Sequence, residues 1–113
     1  MAGQITLKQG EAKKVRFAIT KSGSAIDVST ATFSFEVKDK ASDVTPVISK
    51  ADVDFDKTDG ANGNVVLSFA VNDTKNLKAK TYVAELKTTV AVDDIDKSTD
   101  IPFIVERAVI IDT

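Results

Sequence analysis

The chain has 113 residues, 15 Lys plus Arg against 17 Asp plus Glu, and no Cys, His or Trp. That length suits one domain over 1–113, and a net charge of −2 excludes general attraction to nucleic acid or an anionic membrane. Lacking Cys and His, it has no disulfide framework, thiol nucleophile, Ser-His-Asp triad or imidazole-ligated metal.

The apolar residues favour strands. There are 14 Val and 9 Ile against 4 Leu, with 12 Thr beside them. β-Branched side chains lose rotamer freedom in helices and pack well on a pleated surface. In chain order, the first predicted strand covers 4–8. The second, 13–20, alternates Val15, Phe17 and Ile19 with Lys14, Arg16 and Ala18. Ser22-Gly23 marks a turn before the third strand, 32–38, where Phe33, Phe35 and Val37 alternate with Ser34, Glu36 and Lys38. A fourth strand is predicted over 46–56, with Val53 and Phe55 facing inward. Asp59-Gly60-Ala61-Asn62-Gly63 turns the chain into a fifth over 64–71, carrying Val65, Leu67, Phe69 and Val71 on one face. Asn72-Asp73-Thr74 followed by Lys75-Asn76-Leu77 predicts a capped single helical turn. Strands over 80–91 and 100–111 follow, the first with Tyr82, Ala84 and Leu86 inward. About seven short strands with regular turn signals and one helical turn describe an all-β, antiparallel β-sandwich.

A sandwich has edges to protect, and Pro46 and Pro102 are expected at two of them. The apolar run Ala108-Val109-Ile110-Ile111 is expected to complete the sheet, with augmentation of a neighbour as the alternative. No stretch approaches the length of a membrane span.

The densest acidic group is Asp52, Asp54, Asp56 and Asp59. Alternating carboxylates suit calcium, a hard cation that wants several oxygen ligands, and this is the one metal the chain offers a site for. The spacing departs from a calcium-binding helix-loop-helix, since Lys57 and Gly63 stand where Gly and Glu belong. The default is a solvated strand face running into a turn, so no cofactor is expected. Asp93, Asp94 and Asp96 form a second acidic group, read as a loop tip rather than an acid/base pair. Lys8, Lys13, Lys14, Arg16 and Lys21 read as a mixed-charge wet face, since nucleic-acid surfaces interleave basic residues with exposed aromatics. The single Tyr82 is in phase with Leu86, which places it in the core with its hydroxyl hydrogen-bonded near the sandwich end. Nothing here is an enzyme's inventory.

Ile5-Thr6-Leu7-Lys8-Gln9-Gly10-Glu11, Val15 to Ile19, Ser22 to Val28 and Ala31-Thr32-Phe33 together resemble small tailed-phage structural domains. Asn72 to Leu77, followed by Tyr82-Val83-Ala84-Glu85-Leu86, is similar to their helical turn and following strand, and Ile101 to Val105 to their last strand. The nearest comparison is the N-terminal domain of upper baseplate proteins. Two turns depart from that pattern, with Lys80-Thr81 before the Tyr and Ser29-Thr30 before Ala31 in place of glycine-containing steps. The resemblance implies an immunoglobulin-like sandwich, made in the bacterial cytoplasm, that builds a virion tail or baseplate. Its partners would be other virion structural proteins and further copies of itself, as a homo-oligomer. On that reading Val66, Val83, Ile104 and Val109, apolar residues out of phase or terminal, are the interface candidates. The alternative is a stand-alone surface or secreted binding sandwich, adhesin-like or carbohydrate-binding, assisted by calcium at Asp52 to Asp59.

Overall fold

Two sheets collect the alternating apolar residues on facing sides. A computed structural model describes residues 4–21, 23–40, 42–91, 94–97 and 100–108. The strands are β1 (Ile5–Lys8), β2 (Lys13–Ala18), β3 (Thr20–Lys21), β4 (Ser24–Ala25), β5 (Thr32–Lys38) and β6 (Ile48–Lys50). After them come β7 (Phe55–Asp56), β8 (Asn64–Phe69), β9 (Lys80–Ala91), β10 (Asp94–Lys97) and β11 (Ile101–Glu106). One sheet runs β1-β11-β9-β5-β6, with β10 beside the far half of β9. The second is β2-β8-β7, and β3 with β4 makes a small separate ribbon. This is the immunoglobulin arrangement, strands B-E-D packed on G-F-C-C′. Among the described residues all pairings are antiparallel but one: β1 runs parallel to β11, from Ile5 against Phe103 to Lys8 against Glu106.

The strand predicted over 46–56 is two strands in two sheets. β6 ends at Lys50 on the six-stranded sheet, and β7 begins at Phe55 on the three-stranded one. Between them Asp52–Asp54 forms a 3-10 turn. The aspartates make the turn, because short carboxylates compete for nearby backbone N–H groups. Asp54 accepts from its own turn at the Ala51 N–H (2.9 Å), and Asp52 accepts from the Phe33 N–H on β5 (3.0 Å). Val53, in phase with Phe55 by alternation, is therefore thrown outward and is 89% exposed, while Phe55 is buried. The predicted inward Val53 is corrected. Residues 94–97, read as part of a polar connection, are a strand: β10 pairs with Lys87–Ala91 and carries the β9 hairpin onward. Pro102 is not on an edge strand, since β11 lies between β9 and β1; it stands one residue before the pairing with β1 begins at Phe103. Val109, Ile110 and Ile111 lie outside the described residues.

The helical turn, α1 (Val71–Thr74), starts one residue earlier than predicted. Asp73 caps it by accepting from the Ala70 N–H at 2.7 Å, and the same oxygen takes the Lys50 ammonium at 2.7 Å. Thr74 is fully buried, accepting from the Gly10 N–H and donating to the Lys8 carbonyl oxygen. That hydroxyl ties the turn after β1 to the connection before β9.

All six Phe are buried. Phe35 on β5 sits at the centre, with ring centroids 5.9 Å from Phe17, 5.9 Å from Phe69 and 6.4 Å from Phe103. Phe17 and Phe69 belong to one sheet, Phe35 and Phe103 to the other, so the rings lock the layers together. In antibody domains a disulfide between the sheets and a tryptophan do that. The residue two after the corner tyrosine, a cysteine there, is here the buried Ala84. Tyr82 itself is buried as predicted, its hydroxyl donating to the Lys78 carbonyl at 2.9 Å. Burial raises its phenol above the ordinary range, so the ring stays neutral.

Candidate interaction face

The acidic residues Asp52, Asp54, Asp56 and Asp59 each have their own hydrogen-bond partners. Asp52 is held by Phe33 N–H and by the Lys57 ammonium at 3.1 Å from both carboxylate oxygens. Asp54 caps its own turn. Asp56 accepts from the Thr58 N–H and hydroxyl, and Asp59 accepts from the side-chain amides of Asn62 and Asn64. The four carboxylates thus serve four separate sets of partners. No group of three or more carboxylates is placed to share a cation among the described residues. Of the second acidic group, Asp94 and Asp96 stand on β10 opposite Ala91 and Thr88, and Asp93 lies outside the described residues.

These hydrogen bonds have a consequence in acid. The Thr58 hydroxyl and N–H hold the Asp56 carboxyl below its ordinary value, and the Asn64 and Asn62 amides do the same for Asp59. The folded state releases these protons more readily than the unfolded chain does. Their contribution to stability is therefore complete above the ordinary carboxylate range and is lost as pH falls through and below it. Replacing Asp56 and Asp59 together by alanine should flatten the acid limb of a melting-temperature curve below about pH 4. An acid limb of unchanged steepness would mean that these turns carry none of the dependence.

Lys13, Lys14 and Arg16, read as part of a mixed-charge wet face, have a hydrogen-bond partner or acidic residues near them. Lys13 donates to the Thr6 carbonyl oxygen at 3.0 Å, while Lys14 and Arg16 on β2 lie near enough to Asp56 and Asp59 to favour their charged forms. On the outer side of the three-stranded sheet, Arg16, Val66 and Asp56 stand in one cross-strand row. Opposite charges alternate there.

The outer face of the six-stranded sheet is different. The alternation that buries Tyr82, Ala84, Leu86 and Thr88 turns Val83, Glu85, Lys87 and Thr89 outward. Register then decides the neighbours. Glu85 is directly opposite Glu36 of β5, and Lys87 is directly opposite Lys97 of β10. Directly opposed like charges are destabilising, by roughly 0.2–1 kcal/mol for each pair. Asp100 adjoins the carboxylate row at the next position before β11. Lys38 reaches Glu36 at 3.8 Å, but Glu85, Lys87, Lys97 and Asp100 form no ion pair among the described residues. Together with Ser34 and Glu36 they line an open groove of about 310 Å³. An acidic band and a basic band thus run side by side across this face.

Val83 and Ile104 are half-buried and border the same face, Val83 opposite Pro102 and Lys38, and Ile104 opposite Thr6 and Thr81. Val66 is half-buried on the other sheet, on the far side of the sandwich. Val109 lies outside the described residues. Val66 therefore shares no surface with Val83 and Ile104. Of the charged residues that do form one, Glu36, Glu85 and Lys87 were visible as the wet sets of their strands and Lys97 was not, and only register puts like beside like.

Neither a scan against protein-family models nor a search of curated proteins gives a match to this chain.

Proposed function

We propose that this chain is a non-enzymatic structural module that acts through protein–protein contact in an assembly, and that the assembly is the tail or baseplate of a phage or prophage. The observation that carries the contact reading is the face of the six-stranded sheet that no described element covers, with its side-by-side bands of like charge. Charges arranged against their own neighbours cost stability in the isolated domain, which fits a surface shaped for a partner. The tail reading is supported by the resemblance of Ile5 to Phe33, Asn72 to Leu86 and Ile101 to Val105 to tail modules. A rigid immunoglobulin-like sandwich, its layers joined by the phenylalanine cluster, suits a part that transmits load. The domain would reside in the virion after synthesis in the bacterial cytoplasm.

The test is antibody labelling, by electron microscopy, of particles from a culture of the source organism after prophage induction. Label on tails or tail tips is the expected result. Intact, accessible particles without label would overturn the tail assignment.

A further inference from the structure

The geometry points to a second copy of this chain as the partner of the banded face, in an isologous pair related by a two-fold axis. The inference rests on the contact reading above and adds to it the partner and the register of contact.

The outer face can be laid out in rows across the strands. One row holds Asp100, Glu85 and Glu36; the next along β9 holds Lys97, Lys87 and Ser34. On the far side of the acidic row stand Pro102, Val83 and Lys38, and on the far side of the basic row stand Ile95, Thr89 and Thr32. Two copies placed face to face must be related by an axis lying in the plane of contact. If that axis runs along the rows, between Glu85 and Lys87, each row of one copy lies over the mirror-placed row of the other. Glu85 then meets the second copy's Lys87, and Asp100 meets its Lys97. The next rows bring Pro102 over Ile95, which is 48% exposed in the single copy, and Val83 over Thr89. Because the contact is isologous, every one of these meetings occurs twice.

The same operation offsets the cost noted above. The Lys87–Lys97 pair gains two opposite charges, Glu85 and Asp100 of the second copy, and the Glu36–Glu85 pair gains one, Lys87 of the second copy, in a contact that excludes part of the water screening them. An axis along the strands would instead lay acid on acid and base on base, so the bands select one orientation. The area is adequate for a reversible pair. A full grid of five strands at about 4.8 Å and five rows at about 6.7 Å would give roughly 800 Å², and because the short β1 and β6 fill only part of it the face offers roughly 500–600 Å² from each copy, about 1,000–1,200 Å² in all, at the low end for specific interfaces. A weak, salt-sensitive dimer is the consequence.

The experiment is analytical ultracentrifugation of the full chain from micromolar to near-millimolar concentration, in low and high salt. The wild type should approach the mass of two copies at low salt and return towards one at high salt. Glu85→Lys and Lys87→Glu should each weaken association by roughly tenfold or more, since each reversal acts twice. The double variant E85K/K87E should restore the dimer, because the swapped charges meet again across the axis. Neither single reversal threatens the fold, since each replaces a like-charge contact within the sheet by an opposite one; circular dichroism and melting temperature check this. Should a variant fail to fold, a zero-length carbodiimide cross-link between isotopically labelled and unlabelled wild-type copies, joining Glu85 to Lys87, gives the same answer. A wild type that remains one copy in low salt throughout, or a dimer indifferent to both single reversals, would overturn the inference. Labelled tails with a monomeric domain would sink this pairing alone, and a charge-swappable dimer on unlabelled particles would sink the tail assignment alone.

Discussion

Truncating Phe35 to alanine should remove about 3–5 kcal/mol of stability, a large part of the whole. At roughly 0.05–0.15 kcal/mol per residue, a domain of this length holds about 6–17 kcal/mol in total. The size of the effect follows from position. Phe35 is fully buried, and it contacts the rings of Phe17, Phe69 and Phe103 from both sheets. Its removal leaves a cavity lined by three rings that belong to rigid strands and cannot collapse into the space. Each lost aromatic contact adds about 0.5–1.5 kcal/mol to the area term. No disulfide joins the sheets to compensate, since the chain has no Cys. In urea the midpoint should fall by roughly 2–3 M with little change in slope. Val53→Ala is the reference: alternation assigns Val53 to the same buried set as Phe55, yet at 89% exposure its loss should be close to neutral. Equal midpoints for the two variants would refute this account of the core.

Gly63→Ala should be the second most damaging change, and for a reason of backbone rather than core. Gly63 closes the turn that feeds β8, with φ of 81° and ψ of 11°. An alanine there carries the left-handed penalty of about 1–2 kcal/mol. The larger cost is steric. A methyl at that position would lie 2.7 Å from the Ile19 carbonyl oxygen and 3.0 Å from that of Ile26, both backbone atoms. Those backbone segments cannot give way freely, because the Ile19 N–H donates to the Gly63 carbonyl at 2.7 Å and the Ile26 N–H donates to the Ile19 carbonyl oxygen. Overpacking of this kind adds roughly 1–3 kcal/mol. Gly23 supplies the control. It has nearly the same φ, 82°, but a methyl there would meet nothing within 4 Å. Gly23→Ala should therefore show the conformational penalty alone, and the difference between the two variants measures the crowding around Gly63. If both lose the same stability, the close approach of the Ile19 and Ile26 carbonyls costs nothing.

These two sites, and the banded face, differ in how far the amino-acid order alone reveals them. The burial of all six Phe and of Tyr82, and the extents of β5 and β9, follow from alternation, because a strand's two faces are set by neighbours two residues away. The break at Asp52–Asp54 does not. Alternation continues through it, and what turns the chain is the hydrogen bond from Phe33, 19 residues earlier, to the Asp52 carboxylate. β10 escapes for a related reason: Asp94, Ile95, Asp96 and Lys97 have the composition of a loop, and their strand character comes from pairing with β9. The acidic groups show the limit most plainly. Their residue types suit a cation, but each aspartate found its partner within a few residues or on a neighbouring strand before four could converge.

The sequence by itself determined an all-β sandwich, its phenylalanine core and the outward sets on each strand, since these depend on local periodicity and hydrophobic burial. Only the tertiary structure decided which outward residues stand side by side. Glu36 and Glu85 are 49 positions apart in the chain, and no local rule relates them. Strand register, set by the packing of the whole core, places the two carboxylates together and the two lysines beside them.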